Sequence, residues 1–270
     1  MTRQALPRVI TITTDFGHKG PFAAVMKGVI LSRLPGADVV DLVHNIPPHW
    51  PPEAGFWIVH AYRYFPAGTV HIAIVDPAPG NETQIIIAEK NEHIFLAPDN
   101  GLLAALFDQP GSNAIYRLEP DKLAQFGIHD PSPTFHGRDI YAPLAAEIAA
   151  GNCRPAQLGD ATGEWTPAWV DKPTRNVDRV DGIVITVDPF GNLITNIEQQ
   201  LIEGFAEPIV HIGGHALGIE TTYATSNPGD YLALINSFGV VEIARAEGSA
   251  AAGLGSQRGA PVSVSDGLVA

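Results

Sequence analysis

Residues 70–84 read VHIAIVDPAPGNETQ, and this stretch decides how the rest of the chain is interpreted. Residues 71–75 have the apolar character of a buried strand and lead directly into the carboxylate of Asp76. Two prolines and a glycine follow and stiffen the turn. Open α/β sheets bind their ligands at the carboxyl ends of the strands, so we expect Asp76 to lie at the floor of an active site. The same residues are equally compatible with an aspartate that only caps a turn.

The first half of the chain alternates between strand and helix patterns. A β-branched run at residues 8–14 predicts a strand, and apolar residues at helical spacing predict a helix over 22–34. Residues 37–43 predict a second buried strand, and a predicted helix over 53–64 leads into the strand before Asp76. This alternation is typical of helical crossovers between parallel strands. We therefore expect an N-terminal α/β domain with a mostly parallel sheet.

The second half of the chain has a different character. Residues 151–178 are rich in proline, glycine and polar residues, which is typical of a connection between domains. From Arg179 onward, short strand patterns are separated by turns. This arrangement predicts a smaller, mostly β domain with a sandwich or barrel-like architecture. We place the N-terminal domain at residues 1–165 and the C-terminal domain at residues 166–270.

The net charge argues against nucleic-acid and membrane partners, and the cysteine content argues against disulfide bonds. The 270 residues carry a formal net charge of -13, whereas binding to nucleic acid or to an anionic membrane surface needs clustered lysine and arginine. The single cysteine, Cys153, excludes an intrachain disulfide framework. The sequence has no apolar run of membrane-spanning length, and its first residues lack the pattern of a signal peptide. We expect a cytoplasmic protein without nucleic-acid or membrane partners.

Polar side chains at predicted strand ends are the candidates for chemistry. Asp15 follows the first strand just as Asp76 follows a later one, and parallel strands end at one edge of a sheet. His136 lies in a loop in front of a predicted helix over 140–150. A carboxylate with a histidine suffices for general-base activation of water. Spacing alone slightly favours the alternative that Asp15 and Asp99 only form turns.

Sequence motifs for common cofactors are absent. No GxGxxG follows the first strand and no GxxxxGK[ST] occurs, so nucleotide phosphates lack their usual cradle. Asp15, Asp76 and His136 are a conceivable metal set, but no HExxH or DxDxD spacing supports it. The sequence also lacks the GxSxG elbow that is typical of serine hydrolases. We predict no metal and no cofactor.

The C-terminal half contributes polar and aromatic residues in turns. Asp188, Phe190 and Asn192 interrupt a pair of strands, Tyr223 precedes a turn, and Ser237 lies in another strand–turn element. Asparagine and serine side chains beside aromatic rings suit a flat heterocycle with polar edges. Ordinary β-turn chemistry with core aromatics explains each residue equally well.

Taken together, these motifs resemble those of the S-adenosyl-L-methionine (SAM) hydroxide adenosyltransferases, the adenosine-forming SAM hydrolases that are related to fluorinase and chlorinase. The resemblance runs through nearly the whole chain in the family's order, which makes it more specific than any single motif. The matching stretches are TTDFG (13–17), MKGVI (26–30), HNIPP (44–48), VDPAPG (75–80), APDNGLL (97–103), FHGRDIYAP (135–143), FGNLITNI (190–197), NSFGVVEIA (236–244) and GSAA (248–251).

The resemblance implies an α/β N-terminal domain and a β-barrel-like C-terminal domain, assembled as a homotrimer. In the family, the substrate lies between the N-terminal domain of one subunit and the C-terminal domain of its neighbour. Water or hydroxide attacks ribose C5′ of SAM, which is the substrate rather than a cofactor, and adenosine and L-methionine are released. The thioether departs as a neutral group from a sulfonium, so only the nucleophile must be positioned and deprotonated.

The resemblance also assigns roles to individual residues. Asp76 and His136 would belong to the group that activates water, and Asp15 would hold the ribose hydroxyls. In the second domain the implied roles are the adenine edge for Asn192, the aromatic walls for Phe190 and Tyr223, the methionine end for Asp188 and Ser237, and the rest of the nucleoside pocket for Glu242 with the backbone of residues 245–247.

Two departures from the family pattern bear on efficiency. The family has VDPGVG followed by an arginine that completes a water-activating triad, whereas Thr83 and Gln84 stand at the equivalent positions here. Loss of the guanidinium removes a positive charge that favours hydroxide and an ionised carboxylate. Gly20 stands where the family has an aspartate directed at the substrate amine, so recognition of the ammonium would rest more on Asp188.

Two alternatives to hydrolysis stay open at this point. The departures are compatible with a non-catalytic or very slow protein that binds adenosine or SAM. A SAM-dependent halogenase fits less well, because halide-using relatives have a tyrosine where this chain has Asp76. A carboxylate beside C5′ would repel an incoming halide.

Overall fold

The computed structural model describes residues 8–76, 83–223 and 226–267. The chain divides between Trp169 and Val170 into two compact units, and each has its own sheet and its own apolar core. The prolines and glycine of the turn after Asp76 lie outside the described residues. The two units are therefore described one at a time.

The first unit is built on a seven-stranded mixed sheet. Its strands are β1 (Val9–Thr14), β2 (Asp38–Val43), β3 (Val70–Ile74), β4 (Ile85–Lys90), β5 (His93–Pro98), β6 (Ala114–Arg117) and β7 (Ala161–Thr162). The order across the sheet is β2-β1-β3-β5-β4-β6-β7. Strands β2, β1, β3 and β5 are parallel, and the β4–β5 hairpin adds β4, β6 and β7 in antiparallel pairing. The expected α/β class is confirmed, and parallel pairing is found in the half that ends at Asp15 and Asp76.

Helices cover both faces of this sheet. They are α1 (Phe22–Arg33), α2 (Pro51–Ala61), α3 (Ala104–Asp108) and α4 (Ala142–Ala149). Helices α1 and α4 share one apolar core through Met26, Ile30 and Leu144, and α2 and α3 share another through Ile58 and Leu106. Four short helical turns complete the unit, namely 3₁₀ turns at Tyr62–Tyr64, Pro120–Phe126 and Pro155–Gln157, and a π turn at Gly137–Tyr141.

Strand β3 is buried on both sides, which explains its continuous apolar sequence. Ile72 and Ile74 belong to the core under α1 and α4, whereas Ala73 and Val75 belong to the core under α2 and α3. Successive side chains of a strand point to opposite faces, so the two cores alternate along β3. The carboxylate of Asp76 follows where this doubly covered strand ends.

The second unit is a closed barrel of seven strands. Its elements are β8 (Thr174–Arg175), β9 (Arg179–Val187), β10 (Leu193–Glu198), α5 (Gln199–Ile202), β11 (Pro208–Ile212), β12 (His215–Glu220), β13 (Tyr231–Ile235), β14 (Val240–Arg245), α6 (Ala250–Leu254) and β15 (Pro261–Asp266). The strands follow the order β10-β14-β13-β12-β11-β15-β9, and the β9–β10 pair closes the ring while β8 pairs with β9. Closure removes exposed strand edges and selects the barrel over the sandwich.

Part of the predicted connection at 151–178 is tied into the first unit. Strand β7 pairs with β6, and the backbone N–H of Thr166 donates to the Asp99 carboxylate at 2.7 Å. The indole Nε1 of Trp169 donates to the carbonyl oxygen of Asn100 at 2.7 Å. These residues therefore do not form a free linker up to Trp169. The boundary after residue 165 stays a prediction.

Two further observations concern the described residues as a whole. No helix among them is long and apolar enough to cross a membrane.

Cys153 is buried, and burial, followed by the charge of Glu147, raises the pKa of its thiol to about 11. The thiol is therefore protonated near neutral pH and is a poor nucleophile.

Candidate active site

A cavity of ≈ 590 Å³ lies at the carboxyl ends of β1 and β3. Asp15 follows β1 directly, Asp76 comes after β3, and His136 precedes the π turn at Gly137–Tyr141. All three side chains line this cavity. Its volume is in the range of small-molecule sites, so the strand ends form a pocket large enough for a nucleoside-sized ligand.

The two carboxylates of this cavity influence each other. Burial raises the pKa of Asp15 above its ordinary value of 3.8, and the negative charge of Asp76 raises it further. Backbone hydrogen bonds involving Asp15 itself and His49 act in the opposite direction, because they favour the ionised form. The cavity therefore holds two like charges close enough to interact.

His49 lines the same cavity and was not singled out in the sequence. Its backbone adopts the left-handed conformation, with φ of 62°, which is uncommon for a residue other than glycine. It lies in a proline-rich loop, and its backbone hydrogen-bonds to Asp15. A backbone contact of this kind leaves no pattern in the sequence.

Tyr141 is a second cavity residue that the sequence analysis missed. Its side chain is buried, with 3% of the residue exposed. Burial, and then the charge of Asp76, raises the pKa of its phenol well above 10. The hydroxyl is therefore neutral and can donate a hydrogen bond inside the cavity. We call Asp15, Asp76, His136 and Tyr141 the cavity cluster.

Three aromatic rings form the apolar part of the wall. Phe16, Phe22 and Phe135 line the cavity and meet edge to face, with ring centroids 5.5–6.0 Å apart. Phe22 also lies against Gly20, where the resemblance leads us to expect an aspartate. A Cβ added at Gly20 would lie 2.6 Å from the Phe22 ring, so an aspartate there requires this ring to move.

Thr83 and Gln84 stand at the two positions where the resemblance leads us to expect an arginine. Thr83 lines the cavity, whereas Gln84 is exposed. Arg138 also lines the cavity, but its guanidinium donates two hydrogen bonds to Asp139, at 2.6 Å from Nε and 2.7 Å from Nη2. The same guanidinium lies over the Phe135 ring at 5.3 Å. Its charge is thus directed at Asp139.

Metal binding has no support in the part of the chain that the structure describes. Within those ranges, no group of three or more histidine, cysteine, aspartate or glutamate side chains is placed to hold a metal ion. Asp15, Asp76 and His136 line one cavity without forming such a group. Their arrangement suits proton transfer and hydrogen bonding.

The second unit brings together several of the other predicted residues. Asp188 Oδ1 accepts from the backbone N–H groups of Phe190 and Asn192, both at 2.9 Å. Asp188 Oδ2 accepts from the Asn192 amide at 2.9 Å. These bonds fix the turn and leave the amide oxygen of Asn192 as an acceptor. Gly191 is required there, since its φ is 86° and an added Cβ would lie 2.2 Å from Ser249 Oγ.

Glu242 connects Tyr223 with Asn236. It is buried on β14, and its two oxygens accept from the Tyr223 hydroxyl at 2.5 Å and the Asn236 amide at 3.1 Å. Burial, then Glu242, and then Asp188 raise the pKa of the Tyr223 phenol, so Asp188 lies near Tyr223. We call Asp188, Asn192, Tyr223 and Glu242 the barrel cluster.

Two predicted residues are not drawn into the barrel cluster. The Phe190 ring is 80% exposed, and Ser237 is exposed in the turn after Asn236. Asn236 itself, which was not among the predicted site residues, contacts Glu242. Asn236 and Glu242 are six residues apart in sequence, and the turn between β13 and β14 brings them together.

Comparison with known proteins identifies the family. Residues 10–159 match the SAM hydroxide adenosyltransferase N-terminal domain, and residues 182–263 match the corresponding C-terminal domain. A Thermus thermophilus protein named (R)-S-adenosyl-L-methionine hydrolase is 36% identical, over 94% of this chain and 98% of the relative. A Methanocaldococcus jannaschii protein of the same name is 31% identical, over 88% of each chain.

Solved structures agree with this similarity. The crystal structure of an uncharacterized conserved protein from Thermotoga maritima superimposes with a TM-score of 0.85 at 30% identity, over 95% of this chain and 99% of that chain. The match covers both units of the fold. The chain belongs to the SAM hydroxide adenosyltransferase family.

Proposed function

We propose that this protein hydrolyses SAM by attack of water on ribose C5′, giving adenosine and L-methionine. The observation that carries the proposal is the cavity lined by Asp15, Asp76 and His136 in a member of this family. The names of its relatives, at 31–36% identity, support the same reaction.

The proposed reaction requires one proton transfer at the cavity cluster. A bond forms between the water oxygen and C5′, the C5′–S bond breaks, and its electron pair remains on the methionine sulfur. The water proton passes to Asp76 or His136, which act as the general base. Methionine leaves as a neutral thioether, so no acid is needed at the sulfur. Two carboxylates in the cavity also attract the positive sulfonium.

The remaining site residues bind and orient the substrate in this proposal. In the cavity, Asp15 accepts hydrogen bonds from the ribose hydroxyls, and the neutral Tyr141 hydroxyl orients the Asp76 carboxylate. In the second unit, the Asn192 amide binds the adenine edge, and Phe190 and Tyr223 form the walls around it. Asp188 and Ser237 face the methionine end, and Glu242 completes the nucleoside pocket.

We further propose a cytoplasmic homotrimer with sites at the interfaces between subunits, and no cofactor besides the substrate SAM. The family resemblance supports the trimer, and the net charge of -13 supports the absence of a nucleic-acid partner. The mass in solution, measured by light scattering, tests the trimer, with three chains expected. A monomeric mass in active enzyme would contradict it.

Product analysis tests the proposed reaction. Purified protein is incubated with SAM, with and without added chloride, fluoride or EDTA, and products are separated by chromatography. We expect equal amounts of adenosine and methionine, no 5′-halogenated nucleoside, and no effect of EDTA. Binding of SAM without adenosine formation over hours would overturn hydrolysis in favour of a binding protein.

A further inference from the structure

A chain of four side chains connects the protein surface to the end of β1. Thr14 Oγ1 lies 2.8 Å from Nδ1 of His44, and His44 Nε2 lies 2.8 Å from Asp41 Oδ1. Lys27 Nζ donates to Asp41 Oδ2 at 2.5 Å. Thr14 is the last residue of β1, so these four hydrogen-bonded side chains reach to one residue before Asp15.

The direction of each hydrogen bond follows from the chemistry of the groups. Burial raises the pKa of Asp41, but the hydrogen bonds from Lys27 and His44 lower it more, so the carboxylate is ionised and only accepts. Nε2 of His44 therefore carries a hydrogen, and in the tautomer with Nδ1 unprotonated this nitrogen accepts from the Thr14 hydroxyl. Thr14 Oγ1 in turn accepts from the backbone N–H of Phe16 at 3.2 Å.

The threonine–histidine–aspartate order does not make Thr14 a nucleophile. Thr14 is 0% exposed and His44 is 2% exposed, so substrate cannot reach the Thr14 hydroxyl. The carbonyl oxygen of His44 also accepts from the Gly17 N–H at 2.8 Å. His44 is thus bonded on both sides of the segment that carries Asp15 and Phe16 into the cavity.

We propose that His44 is a positioning residue that fixes the Asp15 carboxylate for the paired hydroxyls of the nucleoside ribose. The inference rests on the proposed function, because it takes the ribose as the group that Asp15 meets. A carboxylate accepts from two neighbouring hydroxyls only when both of its oxygens point correctly. The bonds from His44 to Thr14 and Gly17 hold the backbone on either side of that carboxylate.

The same strand supplies a matched control. Thr11 Oγ1 lies 2.8 Å from Nδ1 of His71, and both residues are buried. His71 continues to His93 rather than to an aspartate, with 3.0 Å between Nε2 and Nδ1. This second threonine–histidine pair does not line the cavity. Its loss changes stability without changing how Asp15 is held.

Calorimetry with adenosine and 2′-deoxyadenosine tests the inference in the full-length protein. Wild-type protein is expected to prefer adenosine by about tenfold or more, and Asp15→Asn to lose this preference. His44→Phe is expected to lower the preference to about threefold or less, and His44→Asn, which retains a polar group near Nδ1, to give an intermediate value. His71→Asn is expected to keep the wild-type preference. Partial unfolding lowers the number of sites for both ligands equally, so the ratio reports positioning.

The outcomes separate the inference from the proposed function. If Asp15→Asn loses the preference while His44→Phe keeps it, His44 does not position Asp15 and the inference is overturned alone. Equal losses in His44→Phe and His71→Asn would overturn it too, because any buried histidine would then have the same effect. If the wild-type protein binds no adenosine, or Asp15→Asn leaves the preference unchanged, the nucleoside role of the cavity fails and the inference fails with it.

Discussion

The cavity cluster and the barrel cluster both combine carboxylates with polar partners, but they use them differently. In the barrel cluster, Glu242 accepts on both oxygens and Asp188 accepts from two backbone N–H groups and an amide. In the cavity cluster, burial and the charge of Asp76 raise the pKa of Asp15 instead. The barrel cluster is preorganised as a fixed hydrogen-bonding surface, whereas the cavity cluster holds like charges beside each other.

We therefore expect the two clusters to contribute differently to the reaction. Fixed hydrogen-bonding groups bind a nucleoside in the ground state and the transition state alike, so their loss raises KM. Groups near the reacting carbon act in the transition state, so their loss lowers kcat. Variants of the two clusters should therefore separate along these two kinetic parameters.

The largest effect is expected for Asp76→Asn. The amide keeps the shape of the side chain but cannot accept the water proton, so kcat should fall by about 10² to 10⁴ with KM changed by less than about threefold. Asp99→Asn is the matched control, because Asp99 follows β5 and is bonded to Thr166 and Arg117 rather than lining the cavity. Steady-state kinetics of both variants measure kcat and KM. Loss of kcat by less than about tenfold in Asp76→Asn would refute a general-base role for Asp76.

Tyr141→Phe should have the next largest effect. Removing the hydroxyl takes a neutral donor away from the neighbourhood of Asp76, and kcat should fall about tenfold to thirtyfold at unchanged folding. Tyr62→Phe is the control, since Tyr62 is also buried but belongs to the core under α2 and α3. Single-turnover rates measure the chemical step. Equal rates for both variants would mean that Tyr141 only packs.

Tyr223→Phe should change binding rather than rate. It leaves one oxygen of the buried Glu242 without its phenol donor, so KM should rise about fivefold to tenfold while kcat stays within about twofold. Tyr64→Phe alters a tyrosine that is 73% exposed and should change neither parameter. If Tyr223→Phe lowers kcat as strongly as Tyr141→Phe, the distinction between the two clusters is wrong.

The pH dependence of adenosine binding should come from the cavity cluster. In the proposed function the ionised Asp15 accepts from ribose, and burial raises its pKa above 3.8, so we expect protonation to weaken binding as the pH falls. Affinity should halve where the pH equals this pKa and fall by about tenfold for each pH unit below it. Asp15→Asn should lack this decline, while protonation of adenine itself affects both proteins. Calorimetry from pH 7 downward measures it, and parallel curves would contradict the assignment.

The smallest effect is expected for Thr83→Arg. Thr83 lines the same cavity as Asp76 and His136, and it is one of the two positions where the resemblance leads us to expect an arginine. A new positive charge near Asp76 should raise kcat about twofold to fivefold at low salt, with less gain at high salt. Thr83→Gln adds length without charge and serves as the control. A decrease in kcat with Thr83→Arg alone would show that this cavity has adapted to the absence of the guanidinium.

Strand ends were the predictable part of the site. Asp15 and Asp76 follow apolar runs, and parallel strands deliver their carboxyl ends to one edge, so their common cavity follows from alternation of strand and helix. His49 and Tyr141 were missed for physical reasons. His49 acts through backbone in a left-handed conformation, and Tyr141 sits in an apolar helix pattern where a core ring looks the same.

Long-range pairing limited the prediction of the second unit. The strands of the barrel were recognised from their short apolar runs, but closure depends on the pairing of β9 with β10, which no local pattern encodes. The contact between Tyr223 and Glu242 spans 19 residues for the same reason. Strand β7 is only two residues long and has no periodic pattern, so the sequence predicts a connection there.

In the proposed reaction, water attacks C5′ of SAM under the control of Asp76. The most direct measurement is turnover of SAM in ¹⁸O-labelled water, with mass spectrometry of the products from wild-type protein and Asp76→Asn. We expect one heavy oxygen at O5′ of adenosine, none in methionine, and little labelled adenosine from the variant. Unlabelled adenosine, or equal labelled adenosine from both proteins, would contradict it.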